Sequence, residues 1–411
     1  MNRTLFLLMA ALAIVALSAS GFAQDQASAN GTIIAPPSTR GLAPGHARTP
    51  LYIFVPNGGL TPNSPPASAE TPSSLACIYG VSPPTNGCPR NGTIVASGGT
   101  KAIAVVEYGN NTPLQSDFNT FNTQYGLPTQ TLQVICAASC GTCPNNSGTG
   151  WDVETALDVE YAHAMAPHAQ IIVAEFCSDP VGDGTETDAA NAVAAAGGGE
   201  VSNSWTYEFN NNPNGGEDPS ELQLDQFFMV SGVVYFGSAG DSGLGPAYPS
   251  VSPNVVSAGG TRVVRDSNGN FTGEEDCWNG SGGGISLYEP LPQYQLIIGN
   301  LTGPKRGTPD LSADASPNSG VAVYTTTGCG GWCQVGGTSV ASPVLAGIVN
   351  AAGSFFSLTE KQLSKEYMLY RNPGLYHQYI YDVTKGSNGS AAKLGWDQCT
   401  GLGSPRKLNG F

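Results

Sequence analysis

Gly336-Gly337-Thr338-Ser339-Val340-Ala341-Ser342-Pro343 runs without a break into Val344-Leu345-Ala346-Gly347-Ile348-Val349. Paired glycines let the backbone turn tightly and leave room for another chain to approach. Small and apolar residues follow, with a proline near the first turn, and predict the start of a buried helix. Ser339 is therefore expected at a strand-to-helix corner, beside the N–H groups of a helix N-terminus. A hydroxyl nucleophile suits that place, because those N–H groups can stabilise an oxyanion. A serine N-cap in a Gly-rich turn is the plainer reading of the same residues.

Outward from that helix, short apolar runs alternate with helical stretches. Ala102–Val106, Ile171–Ala174, Val233–Phe236 and Val255–Ala258 read as buried strands, each near a glycine-containing turn. Val153–Met165, Thr187–Ala196 and Glu221–Phe228 read as helices. Strand, helix, strand, helix predicts an α/β fold: a mostly parallel central sheet with helices on both faces. No internal repeat interrupts it. One large domain over residues 71–411 is expected, preceded by a leader or linker over 24–70 that is rich in Pro, Ser and Ala.

The 16 Lys and Arg against 31 Asp and Glu give a net charge of −15. That sign repels nucleic acid and anionic membranes and excludes both as partners. The start of the chain, Met-Asn-Arg-Thr before an apolar run from Leu5 to Leu17 and the exit Gly21-Phe22-Ala23, has the form of a secretory signal over residues 1–23. The run is too short for an ordinary membrane span. Export, to the exterior or a periplasm, follows. No membrane association is expected once the signal is removed.

An oxidising compartment turns the ten cysteines into disulfide material. Cys77 with Cys88 and Cys329 with Cys333 are plausible pairs on spacing alone. Cys136, Cys140 and Cys143 could instead hold zinc with a fourth ligand.

A serine nucleophile needs a base. The Gly-Thr-Ser-x-x-x-Pro helix resembles that of both subtilisins and sedolisins, and the first resemblance would imply a His-Gly dipeptide, which none of His46, His163, His168 and His377 provides. Carboxylates are the better candidates. In Trp151-Asp152-Val153-Glu154-Thr155-Ala156-Leu157-Asp158-Val159-Glu160-Tyr161-Ala162-His163-Ala164-Met165-Ala166-Pro167, Asp152 reads as the N-cap and Pro167 as the stop. Glu154 and Asp158 lie four residues apart, on one face of the helix. Two carboxyls so close titrate together, one keeping its proton to higher pH. Glu160 falls on another face and reads as structural or solvated.

On these motifs the chain resembles the sedolisins, serine-carboxyl peptidases with a subtilisin-like fold. Glu-x-x-x-Asp on one helix and Ser in Gly-Thr-Ser-x-x-x-Pro match Glu154, Asp158 and Ser339. Ser238-Ala239-Gly240-Asp241-Ser242-Gly243 matches the segment whose Asp serves the oxyanion, here Asp241. The likeness extends over about 71–405, through Ala258-Gly259-Gly260-Thr261, Gly282-Gly283-Gly284-Ile285-Ser286 and Pro309-Asp310-Leu311-Ser312. It implies supporting roles for Glu107, against the helix Asp, and for Trp205, whose indole N–H would join the same hydrogen-bond chain. It also implies one structural Ca2+ ion held by the side chains of Asp382 and Asp397 and by the carbonyls of Val383, Lys393 and Gly395. Lys393 stands where the family usually has Gly, and Thr206 where it has Gly after the Trp.

The function implied is an exported, acid-active, serine-type endopeptidase that acts on polypeptide substrates as a monomer. Two other readings stand beside it. One is a non-catalytic, exported, calcium-stabilised binding protein of the same fold. The other is a subtilisin dependent on His163 or His168.

Overall fold

A computed structural model describes residues 31–40, 47–209 and 216–411. The expected signal and His46 lie outside the described residues.

The apolar runs form the sheet they predict, and each strand is longer than its apolar stretch. The strands are β1 (Ala102–Tyr108), β2 (Gln133–Cys136), β3 (Gln170–Phe176), β4 (Gly199–Asn203), β5 (Val233–Ser238), β6 (Val255–Arg265), β7 (Phe271–Cys277) and β8 (Leu311–Asp314). They run in the order β7-β6-β5-β4-β1-β3-β2, with β8 beside β6. All pairings are parallel except the β6–β7 hairpin. Alternation along β1 sends Ile103 and Val105 to one face and Ala102, Ala104 and Val106 to the other. Helices α1 (Trp151–Met165) and α3 (Thr338–Ala352) cover the first face, and α2 (Thr185–Ala195) covers the second.

The chain leaves β1 in one direction and β4 in the other, although the two strands are neighbours. Crevices at the carboxyl ends of such strands are where open α/β sheets place ligands. Glu107 is near the end of β1, and Ser204 and Trp205 follow β4 directly. The sheet itself brings them together.

Helices α1 and α3 pack unusually close. A Cβ on Gly347 would lie 2.6 Å from Met165 Cβ and 3.0 Å from the Ala162 carbonyl, so only glycine lets α3 settle on α1. That contact aligns the Glu154 face of one helix with the Ser339 end of the other.

Three expectations need correction. Glu221–Phe228 is not one helix but two 3-10 turns, Pro219–Gln223 and Asp225–Phe228. The Leu224 and Phe227 N–H groups bond carbonyls three residues back, and Leu224, Phe227 and Phe228 still pack on the second face of the sheet. Asp152 is not the N-cap. That position is Gly150, and the Asp152 carboxylate instead accepts the N–H groups of Gly148, Gly150 and Val153. The third concerns the stretch read as leader or linker, part of which is built into the fold. Gly31–Ile34 and Tyr52–Pro56 are strands of a second, antiparallel sheet with Val321–Thr325 and Gly331–Gly336. Tyr52-Ile53-Phe54-Val55 is a β-branched and aromatic run inside a Pro-rich surrounding, and its pairing with Gln334–Gly336 outweighs the composition.

Five disulfides join all ten cysteines: Cys77–Cys88, Cys136–Cys143, Cys140–Cys177, Cys277–Cys399 and Cys329–Cys333. The two pairs expected from spacing are among them. The zinc alternative falls, because Cys136, Cys140 and Cys143 are all consumed in disulfides and offer no thiolate.

Candidate active site

Every residue of α1 is buried, including Asp152, Glu154, Asp158, Glu160 and His163. Buried charges need partners, so each has to be accounted for. Glu160 accepts the Tyr324 N–H and is structural. His163 lies between Gln130 and the Pro128 carbonyl with its ring against Phe118, while His168 and His377 are on the surface. Burial lowers the His163 pKa to about 4. Among the described residues no histidine faces Ser339.

What faces Ser339 is Glu154. Both are fully buried, and the hydroxyl lies near enough to ease ionisation of the carboxyl in a contact looser than a full hydrogen bond. Catalytic contacts of this kind commonly tighten only when substrate arrives. Asp158 follows one turn along, and Glu107 of β1 meets Asp158 from the sheet side while accepting the Thr155 hydroxyl at 3.4 Å. Three carboxyls in mutual contact and without solvent cannot all be ionised. Burial and the neighbouring Asp158 charge raise Glu107 and Glu154 well above the usual range. Burial pushes Asp158 up to about 8, less far, because Ser204, Glu107 and Glu154 all favour its charged form. The three therefore titrate as one coupled system that holds protons to unusually high pH.

Asp241 approaches Ser339 from the end of β5. Its Oδ1 accepts the Thr338 N–H and the Thr338 hydroxyl, each at 2.8 Å, and that hydroxyl oxygen accepts the Gly240 N–H. Oδ2 has no partner. A Cβ on Gly337 would lie 2.6 Å from Oδ2, so glycine is required for this approach. Burial pushes Asp241 up to about 7, offset by the two Thr338 bonds and by Arg48.

Trp205 is buried, but its indole N–H meets no acceptor and its ring packs against Tyr207. The residue that reaches Asp158 in its place is Ser204, whose hydroxyl also lies 3.3 Å from the Ser339 carbonyl. The reading from sequence missed Ser204, although it stands beside Trp205 at the end of β4.

In the C-terminal loops, Asp382 accepts the Gly395 N–H and Asp397 accepts those of Lys393, Cys399 and Thr400. Burial raises both carboxyls. Asp397 and Val383 are buried, and Lys393 is exposed, so its ammonium can stay in solvent.

The Subtilase family description matches residues 134–369. Among curated proteins, kumamolisin of Bacillus sp. (strain MN-32) is 28% identical over 347 residues, covering 74% of this chain and 58% of that protein. Sedolisin of Pseudomonas sp. (strain 101) is 35% identical over 176 residues, 38% of this chain and 28% of that protein. The chain spans about half the length of kumamolisin and of xanthomonalisin of Xanthomonas sp. (strain T-22), which it covers to 48%, and less of sedolisin. The solved Pseudomonas sedolisin, a serine-carboxyl proteinase complexed with two molecules of pseudo-iodotyrostatin, superposes with a TM-score of 0.64 at 23% identity over 82% of this chain and 95% of that one. The chain belongs to the subtilase family and, within it, to the sedolisins.

Proposed function

We propose that the protein is an exported, acid-active serine-carboxyl peptidase that cleaves polypeptides. The observation that carries this reading is the arrangement around Ser339: its buried hydroxyl faces Glu154, backed by Asp158, with the unpartnered Asp241 Oδ2 close by.

Ser339 Oγ attacks the peptide carbonyl and its proton passes to Glu154. Asp158, itself held by Glu107 and Ser204, keeps Glu154 in place to receive it. Negative charge develops on the carbonyl oxygen, where the Asp241 Oδ2–H and the Ser339 N–H donate to it. An ionised Asp241 would repel that charge and donate nothing. As the intermediate collapses, the amine leaves with a proton from Glu154. Water then repeats the sequence on the acyl-serine, releasing the acid and restoring Ser339.

One Ca2+ ion in the C-terminal loops belongs to the same proposal. Two carboxylates with three loop carbonyls are a hard oxygen set suited to it. The carbonyls of Val383, Lys393 and Gly395 accept no hydrogen bond among the described residues, which leaves them available. The ion would brace these loops and takes no part in the reaction. Export is supported by the five disulfides, and among the described residues no helix is long and apolar enough to cross a membrane.

The test is digestion of a denatured protein in acidic buffer by the wild type and by Ser339→Ala. Cleavage lost in the variant supports the reading. Equal digestion by both discards it in favour of contamination or a non-catalytic binding protein.

A further inference from the structure

The space over Ser339 is occupied by the chain's own residues 47–51. Ala47 and Arg48 pair antiparallel with Tyr207 and Thr206, the edge that begins immediately after Ser204 and Trp205. Thr49 is anchored to Ser38 by its N–H at 3.1 Å and by its hydroxyl at 2.7 Å. Next, the Pro50 carbonyl accepts the Ser339 N–H at 3.2 Å. A Cβ on Gly337 would lie 2.2 Å from this carbonyl oxygen and 2.6 Å from Asp241 Oδ2, so both oxygens press on one small space. From Leu51 the chain runs on into the pairing of Tyr52 with Gly336.

An extended polypeptide bound for cleavage has to lie in this way. Its backbone adds to a strand edge on one side, and a carbonyl points at the oxyanion donors. Counted back from that carbonyl, Pro50 is first, Thr49 second and Arg48 third. The third position is the one the protein answers with a charge. Arg48 Nε lies 3.7 Å from Glu208 Oε1, and the two side chains are only 14% and 5% exposed. A substrate with no cation at that position would leave Glu208 buried without its partner, and one with a carboxylate would oppose it directly.

We propose that residues 47–51 sit in the register of a bound substrate and that Glu208 is a specificity-determining residue, selecting Arg or Lys at the third position before the cleaved bond. The inference rests on the peptidase reading above. It concerns recognition and assigns Glu208 no part in the chemistry.

The test is the same digestion in mildly acidic buffer, using a mixture of denatured proteins and reading the cleaved bonds by mass spectrometry. Wild type, Glu208→Gln and Glu208→Lys are compared, with Ser339→Ala as the blank. Arg and Lys should be enriched about tenfold over Asp and Glu at the third position for the wild type, a step worth about 1.4 kcal/mol. The enrichment should vanish in Glu208→Gln and reverse in Glu208→Lys, with other positions unchanged. A third-position preference that is absent in the wild type, or identical in all three proteins, overturns the proposal. If the wild type cuts nothing that Ser339→Ala leaves intact, the peptidase reading fails instead. Should a variant melt early, the wild-type preference alone decides.

Discussion

Asp241 Oδ1 accepts two hydrogen bonds from Thr338, one from its N–H and one from its hydroxyl, and Oδ2 accepts none. The asymmetry assigns the proton of the neutral acid to Oδ2, the oxygen that shares its small space with the Pro50 carbonyl. Thr338 therefore fixes which oxygen donates. Asp241→Asn keeps a neutral donor and should retain part of the activity while flattening its fall at high pH. Asp241→Ala removes the donor and should lower kcat by about 10²–10³-fold. Thr338→Val, which removes one of the two orienting bonds, should lower kcat with little change in KM. Steady-state kinetics of the three variants checks all of this, and an unaffected Asp241→Ala would remove Asp241 from the reaction.

Stability should be greatest in acid. Burial pushes Glu186, Glu200 and Glu366 each up to about 8, against about 4.3 for an unfolded glutamate. Between those values the folded chain binds more protons than the unfolded one. Their contribution is thus complete below about pH 4 and is lost as pH rises through about 8. Melting temperatures should fall steadily from acidic to mildly alkaline buffer, and a rise over that range would contradict the assignment.

Gly347→Val tests the contact between α1 and α3. The new side chain meets Met165 and Ala162, with destabilisation of about 1–3 kcal/mol expected. Because the same contact aligns Glu154 with Ser339, kcat should fall even where the variant is fully folded. Urea melts combined with kinetics separate the two effects.

Chelator should lower the melting temperature at neutral pH, and Asp397→Asn should abolish that sensitivity. A melting curve unmoved by excess chelator would count against the calcium site.

Each member of the proposed quartet sits in a local stretch of sequence: a Gly-rich corner at Ser339, a one-turn spacing for Glu154 and Asp158, and for Asp241 a segment read through the family resemblance. Central strands announced themselves as apolar runs. Contacts between segments distant in sequence left no such trace. Ser204 reaches Asp158 only because β4 lies beside β1, and the family resemblance pointed to its neighbour Trp205, which is packed and not bonded. Pro50 meets Ser339 across 289 residues, within a stretch whose Pro and Ser content masks the strand Tyr52–Pro56. Glu221–Phe228 misled in the other direction, since Leu224, Phe227 and Phe228 have helical spacing yet reach the core from 3-10 turns.

The central claim is that a buried carboxyl system, with Asp241 protonated, drives Ser339. The pH profile of kcat/KM for the wild type on a peptide substrate tests it most directly. Activity should be highest in acid and fall as pH passes about 7, where Asp241 ionises. A profile that climbs from acid to a maximum in alkaline solution would contradict it.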